Sequence, residues 1–221
     1  MAVRRTAVEG MATEAHLDGS ASSFATTEGL TLNDLRKLKA TDFRNPAILL
    51  SGAIDYDLYT RFREQLSAAP AEGLVVVELS TLGGDPEVAR MMGEDIRFHS
   101  ELEPQRRFAF LGKAAIYSAG TTFMSFFMRQ NRYLTRGTRL MVHERKISKK
   151  LHIEGPLTTC IAGLEATLNE IRESIAIQNE GFRNLIQGST VPMEDVLSRA
   201  PSNWYIEAAE ALGLGLIEGV I

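Results

Sequence analysis

One cysteine, Cys160, stands among 221 residues, so no disulfide can form within the chain, which fits a reducing compartment. Apolar residues never run together for the length of about 18 that a membrane helix needs, and the start lacks the charged, apolar and cleavage segments of a secretory signal. No membrane contact is expected, and the location expected is cytoplasmic. Basic excess is missing too. A net charge of −4 and a pI near 5.7 argue against nucleic acid as a partner, which requires a basic face. No Gly-x-x-x-x-Gly-Lys-Ser/Thr occurs, so the chain is not expected to bind ATP itself, and no other cofactor pattern is seen.

Large apolar side chains are scarce in residues 1–42, which are rich in Ala, Ser, Thr and Glu and read as a flexible N-terminal arm. Residues 43–221 read as one domain, and 44% apolar residues suffice for one sizeable core. Helical and strand patterns alternate: helix over 56–69, strand over 74–80, helix over 86–101, strand over 107–111, helix over 118–130, strands over 132–134 and 139–143. Strands separated by helices of that length imply parallel βαβ units, hence an α/β fold. The longest helical signal runs from Cys160 to about Gln187. In it Ile161, Leu164, Leu168, Ile171, Ile175, Gln178, Phe182 and Leu185 recur at spacings of three and four. Such a helix is about 40 Å long, and its one-sided stripe suits a protruding element that needs a partner.

The chemistry gathers between Lys113 and His143. Ser118 lies among small residues at the head of an apolar helical run, and His143 ends the strand-like Arg139-Leu-Met-Val-His. A serine hydroxyl attacks only when an imidazole within hydrogen-bond reach takes its proton. A helix N-terminus also offers unpaired N–H groups to a developing oxyanion. Ser-Ala-Gly is equally a small-residue packing motif, and a histidine on a strand is often structural. Upstream, Gly73-Leu-Val-Val-Val-Glu-Leu-Ser-Thr-Leu-Gly-Gly-Asp-Pro reads as a buried strand running into a double-glycine turn and a helix. Gly83 and Gly84, lacking Cβ atoms, let backbone N–H groups approach a substrate closely.

Taken in order, these segments resemble the Clp protease proteolytic subunit family of serine peptidases. The resemblance runs from Ile48 to Ile221. Ile48-Leu-Leu-Ser-Gly-Ala-Ile-Asp is similar to the family's opening strand and turn, and Leu79-Ser-Thr-Leu-Gly-Gly-Asp to its Asn-Ser-Pro-Gly-Gly. Ser118-Ala-Gly falls at its Ser-Met-Gly, Arg139-Leu-Met-Val-His143 at its Arg-Ile-Met-Ile-His, and Glu210-Ala-Leu-Gly-Leu-Gly-Leu-Ile-Glu-Gly-Val-Ile221 follows its ending without a gap. The resemblance implies a crotonase-like, ClpP-like fold of stacked βαβ units with a long protruding handle helix at 160–187. It implies Ser118 as nucleophile, His143 as base, and the amides of Gly83, Gly84 and Ala119 as the oxyanion hole. It also implies a homo-oligomer, a heptameric ring or double ring. The activity implied is ATP-dependent cleavage of unfolded polypeptide fed by a separate AAA+ unfoldase.

Three departures accompany it. Counted back from the ungapped ending, the family's catalytic aspartate falls on Asn203, which has no negative charge for the base histidine; in the serine-protease case that change costs roughly 10⁴ in turnover. Glu207 and Asp195 are the alternative carboxylates for that position. Gly112-Lys-Ala-Ala-Ile-Tyr-Ser is two residues longer than the family's Gly-x-Ala-Ala-Ser. After His143 the chain reads Glu-Arg-Lys-Ile-Ser-Lys-Lys, a basic run bordering the expected groove, or a solvated charged face. The alternative expectation is a catalytically weak or inactive paralogue with a structural or regulatory role in a ring. A Ser–Lys dyad through Lys113 and an acyl-CoA enzyme of the crotonase type are the remaining, less favoured readings.

Overall fold

A computed structural model describes residues 36–221. The arm expected over 1–42 therefore lies largely outside the described residues. Its last part, from Arg36, docks on the body: Leu38 is buried, its N–H donating to the Tyr133 hydroxyl at 3.0 Å.

Seven strands form one sheet. Strands β1 (Ile48–Ser51), β2 (Gly73–Thr81), β3 (Arg106–Tyr117), β4 (Arg132–Leu134) and β7 (Gly219–Val220) follow one another across it, every pair parallel. Strand β5 (Arg139–Val142) pairs with β3 beyond β4, and β6 (Trp204–Glu207) adds antiparallel to β5. Helices α1 (Tyr56–Ala68) and α2 (Pro86–Leu102) are the parallel crossovers. Each starts on an aspartate cap. Asp55 accepts the N–H of Leu58, and Asp85 those of Glu87 and Val88, with Pro86 at the first helical position. Alternation along β2 divides the core. Val75, Val77 and Leu79 pack with Leu58, Phe62 and Met92 on one face, while Val76 packs with Leu38, Phe43 and Tyr133 on the other. At the free edge of the sheet, Gln65 of α1 accepts the Leu49 N–H at 2.7 Å and donates to the Leu49 carbonyl at 3.2 Å.

Strand β3 runs well past the expected 107–111, because it changes partners midway. Residues 110–112 pair with β4 and residues 115–117 with β5. On its other side Gly112 lies opposite Leu79 and Ile116 opposite Thr81, four residues against two. Two extra residues therefore bulge from β3, where Ala114 takes a φ of 59°. These account for the greater length noted between Gly112 and Ser118.

Helix α3 (Ala119–Ser125) is shorter than the expected 118–130. Its end is set by Arg132, a fully buried guanidinium that donates to the carbonyls of Ser125 (2.9 Å), Phe127 (2.8 Å), Asn184 (3.1 Å), Leu185 (2.8 Å) and Leu216 (3.4 Å). Two of those carbonyls belong to the last turn of α4 (Leu157–Ile186), so one cation closes the negative ends of two helices. Burial, with the charge of Arg129 adding to it, pulls the Arg132 pKa down to about 9, leaving it charged at neutral pH. Helix α5 (Met193–Arg199) and helix α6 (Ala208–Gly213) flank β6. Among the described residues no helix is long and apolar enough to cross a membrane.

Helix α4 has the expected stripe, but only its C-terminal third is covered. Gln178, Phe182 and Leu185 are buried, whereas Leu157, Ile161, Leu164, Leu168 and Ile175 are exposed. At 30 residues the helix is about 45 Å long, and most of its apolar face has no partner among the described residues.

Arg132→Met would leave these carbonyls without their donor. Hydrogen bonds to a charged group are worth more than neutral ones, so a loss of at least about 3 kcal/mol is expected. That corresponds to a thermal midpoint lower by about 10 °C in a chain of this size, read by circular dichroism. An unchanged midpoint would show that the carbonyls find other donors.

Candidate active site

Serine is a favoured helix cap, its hydroxyl ordinarily accepting an N–H of the first turn. Ser118 is the residue before α3, yet its side chain makes no such bond. Its Oγ stands 2.6 Å from Nε2 of His143. With the ring proton on Nδ1, the hydroxyl donates to Nε2, the contact that a general base requires.

Backbone geometry directs the hydroxyl there. Ser118 has φ 54° and ψ −113°, a conformation that costs a non-glycine residue about 1–3 kcal/mol and persists only where the surroundings enforce it. They do so on both sides. Its N–H donates to the Met141 carbonyl at 2.8 Å, and its own carbonyl accepts from the N–H of Thr121 (2.9 Å), the N–H of Thr122 (3.2 Å) and the Thr121 hydroxyl (2.7 Å). Met141 is two residues before His143, so the strand that carries the imidazole also pins the serine.

The double-glycine turn packs directly against the serine. A Cβ on Gly83 would lie 3.0 Å from the Ser118 Cβ, and one on Gly84 would lie 2.2 Å from the Ile54 carbonyl oxygen. The two glycines differ in role. Gly83 donates its N–H to the Thr81 hydroxyl at 3.0 Å, whereas Gly84 lines the cleft together with Ser118, Ala119 and His143. Ala119 opens α3, so its N–H has no partner inside the helix.

Asn203 sits where register predicts. Val142 pairs with Trp204, so one further step along the antiparallel ladder sets His143 opposite Asn203. Its backbone, however, is left-handed, with φ 60° and ψ 90°, and the residue is exposed. No hydrogen bond joins it to the ring: Nδ1 of His143 is buried without a partner among the described residues. An unmet buried donor costs about 1–3 kcal/mol and marks the place where a third member would bond. The stand-in carboxylates lie elsewhere. Glu207 is at the far end of β6, 2.7 Å from Arg139, and Asp195 is exposed on α5. Lys113 pairs with Glu78 at 2.6 Å in the β3 bulge and makes no bond to Ser118.

The cleft at this serine has a volume of about 480 Å³. Its apolar wall comes from Phe126, Val142, Ile171, Ile175, Phe182 and Leu185, joining the end of α3, β5 and the C-terminal half of α4. Sequence reasoning missed Thr81, whose hydroxyl settles which glycine N–H stays available. A hydroxyl two residues before a double glycine was the available signal.

No family model matches the chain, and no curated protein does. Among solved structures it is similar to an asparagine-to-aspartate mutant of ClpP1 from Listeria monocytogenes. The likeness has 18% sequence identity and a TM-score of 0.62, covering 79% of this chain and 90% of that one. The fold is therefore ClpP-like, an α/β architecture with a parallel sheet and a long helix.

Gly84→Ala is expected to break the turn, since its Cβ would meet backbone at φ 152°, where side chains are strained in any case. Reaction of Ser118 with a fluorophosphonate should fall at least about tenfold, as loss of a preorganised oxyanion donor does. An unchanged rate would remove this turn from the site.

Proposed function

We propose that the chain is a serine endopeptidase subunit of the Clp type. The observation that carries the reading is the 2.6 Å contact between a strained, non-capping Ser118 and His143. Ser118 Oγ attacks the peptide carbonyl while His143 Nε2 takes its proton. The amides of Gly84 and Ala119 hold the oxyanion, and His143 then protonates the leaving amine. A water activated by His143 releases the acyl group by the same steps. The apolar cleft wall suits an extended unfolded segment, and the resemblance in motif order supports delivery of such segments by a separate AAA+ ATPase.

One observation favours a slower variant of the same reading. With Nδ1 of His143 unpartnered and Asn203 turned outward, nothing fixes the tautomer or stabilises the imidazolium. Asn203→Asp supplies a charge at a backbone position that aspartate tolerates. It should raise turnover at least about tenfold, measured on a fluorogenic peptide. Labelling of wild-type protein by a fluorophosphonate at Ser118, abolished in Ser118→Ala, is the primary test. No labelling in either wild type or Asn203→Asp would replace catalysis with a role in assembly.

The uncovered α4 stripe supports a homo-oligomer, with a heptameric ring or double ring the form the resemblance suggests. Leu164 and Leu168 are 43% and 44% exposed in the single chain. Introducing glutamate at both positions should lower the mass measured by light scattering to that of a smaller assembly. A wild-type protein that runs as a monomer would overturn the assembly reading.

A further inference from the structure

The run Glu144–Lys150 leaves His143 without secondary structure and is exposed except at one residue, Arg145. Its side chain is 20% exposed, and the residue is tied at two points, one through its backbone and one through its guanidinium. The Arg145 N–H donates to Oε1 of Gln178 at 2.7 Å, a buried amide on α4. The Arg145 guanidinium donates to Glu87 at 2.5 Å, across 58 positions of sequence. Glu87 belongs to the first turn of α2, three residues after Gly84, and takes a second donor, Arg90, at 2.8 Å. Burial alone would push the Glu87 carboxyl up, but the hydrogen bonds from Arg145 and Arg90 outweigh it and hold its pKa below the ordinary value.

The placement of this pair is informative. Arg145 is two residues beyond the base, and in an extended chain residues two apart point to the same side. His143 reaches Ser118 and Arg145 reaches the helix that follows the double-glycine turn. The ion pair therefore joins the two segments that no strand pairing connects directly at the mouth of the cleft. We propose that Arg145 and Glu87 are positioning residues, clamping the strand of the base to the oxyanion turn so that His143 and the Gly84 amide keep the spacing that attack on a carbonyl needs. The inference rests on the serine-hydrolase reading. Surface ion pairs ordinarily matter little. This one differs from the intrahelical pairs of Arg97 with Glu94 and Glu101 in bridging separate elements and in having the backbone of Arg145 held by the buried Gln178 amide. A misplacement of 1 Å at a reacting centre can lower a rate about 100-fold.

The test measures the rate of fluorophosphonate labelling at Ser118 by mass spectrometry in the full chain. The variants are Arg145→Gln, Glu87→Gln, their double, Arg145→Lys, and Arg97→Gln as a surface control, with thermal midpoints recorded beside them. Each single variant is expected to label about tenfold more slowly, the double no more slowly than either, Arg145→Lys close to wild type, and Arg97→Gln like wild type. With a peptide ester, kcat should carry the loss and KM stay within about twofold. Labelling at the wild-type rate in Arg145→Gln and Glu87→Gln would overturn the clamp and leave the serine hydrolase intact. Labelling lowered only in step with a fallen midpoint, or additively in the double, would also overturn it. No labelling in wild type or in Asn203→Asp would remove the underlying reading and the clamp together.

Discussion

Ser118 stands in a backbone conformation that serine does not adopt unaided, and the hydrogen bond from its N–H to the Met141 carbonyl makes that conformation hold. The bond is the last rung of the β3–β5 pairing, so Ser118 and His143 are separated by a ladder and not by a loop. The ladder exists because β3 exchanges β4 for β5 along its own length, and the two-residue bulge of β3 between Gly112 and Ile116 marks the exchange. Remove the pairing beyond Gly112 and the serine loses its anchor, the imidazole its direction and the cleft one of its walls.

Arg132 performs a related task from beneath. A cation buried with no carboxylate is costly by itself. Here it is surrounded by carbonyl oxygens at the ends of α3 and α4, whose dipoles favour a positive charge. The guanidinium fixes where α3 stops and against what it stops. The helix that begins just after Ser118 thus ends on the helix that forms the far wall of the cleft.

The parallel βαβ order and the long helix were legible in residue patterns, because each depends on local periodicity, and so was the glycine pair, through a backbone need that glycine meets; Ser118 and His143 were legible as a candidate pair through the resemblance in motif order. Features decided by distant partners were not. The apolar run after Ser118 is helical in pattern to residue 130, but a guanidinium later in the chain captures its carbonyls at Ser125 and Phe127. Register places Asn203 opposite His143, yet the missing bond to the ring is not specified by Pro-Ser-Asn-Trp, in which asparagine tolerates the left-handed backbone seen there. The charged run after His143 reads as a solvated face, which holds for its lysines and fails for Arg145, whose partners lie on α2 and α4. Gln178 fits the helical stripe as an interruption, and its amide proves to serve a backbone N–H outside the helix.

The Gln65 amide on Leu49 acquires meaning in this setting. A four-residue strand at the margin of a sheet presents an N–H and a carbonyl to any extended peptide that drifts past, and such margins invite strand addition. A side-chain amide that mimics a peptide group occupies both, donating and accepting as a neighbouring strand would. A sheet so terminated does not offer the Leu49 peptide group to a passing extended chain at that margin.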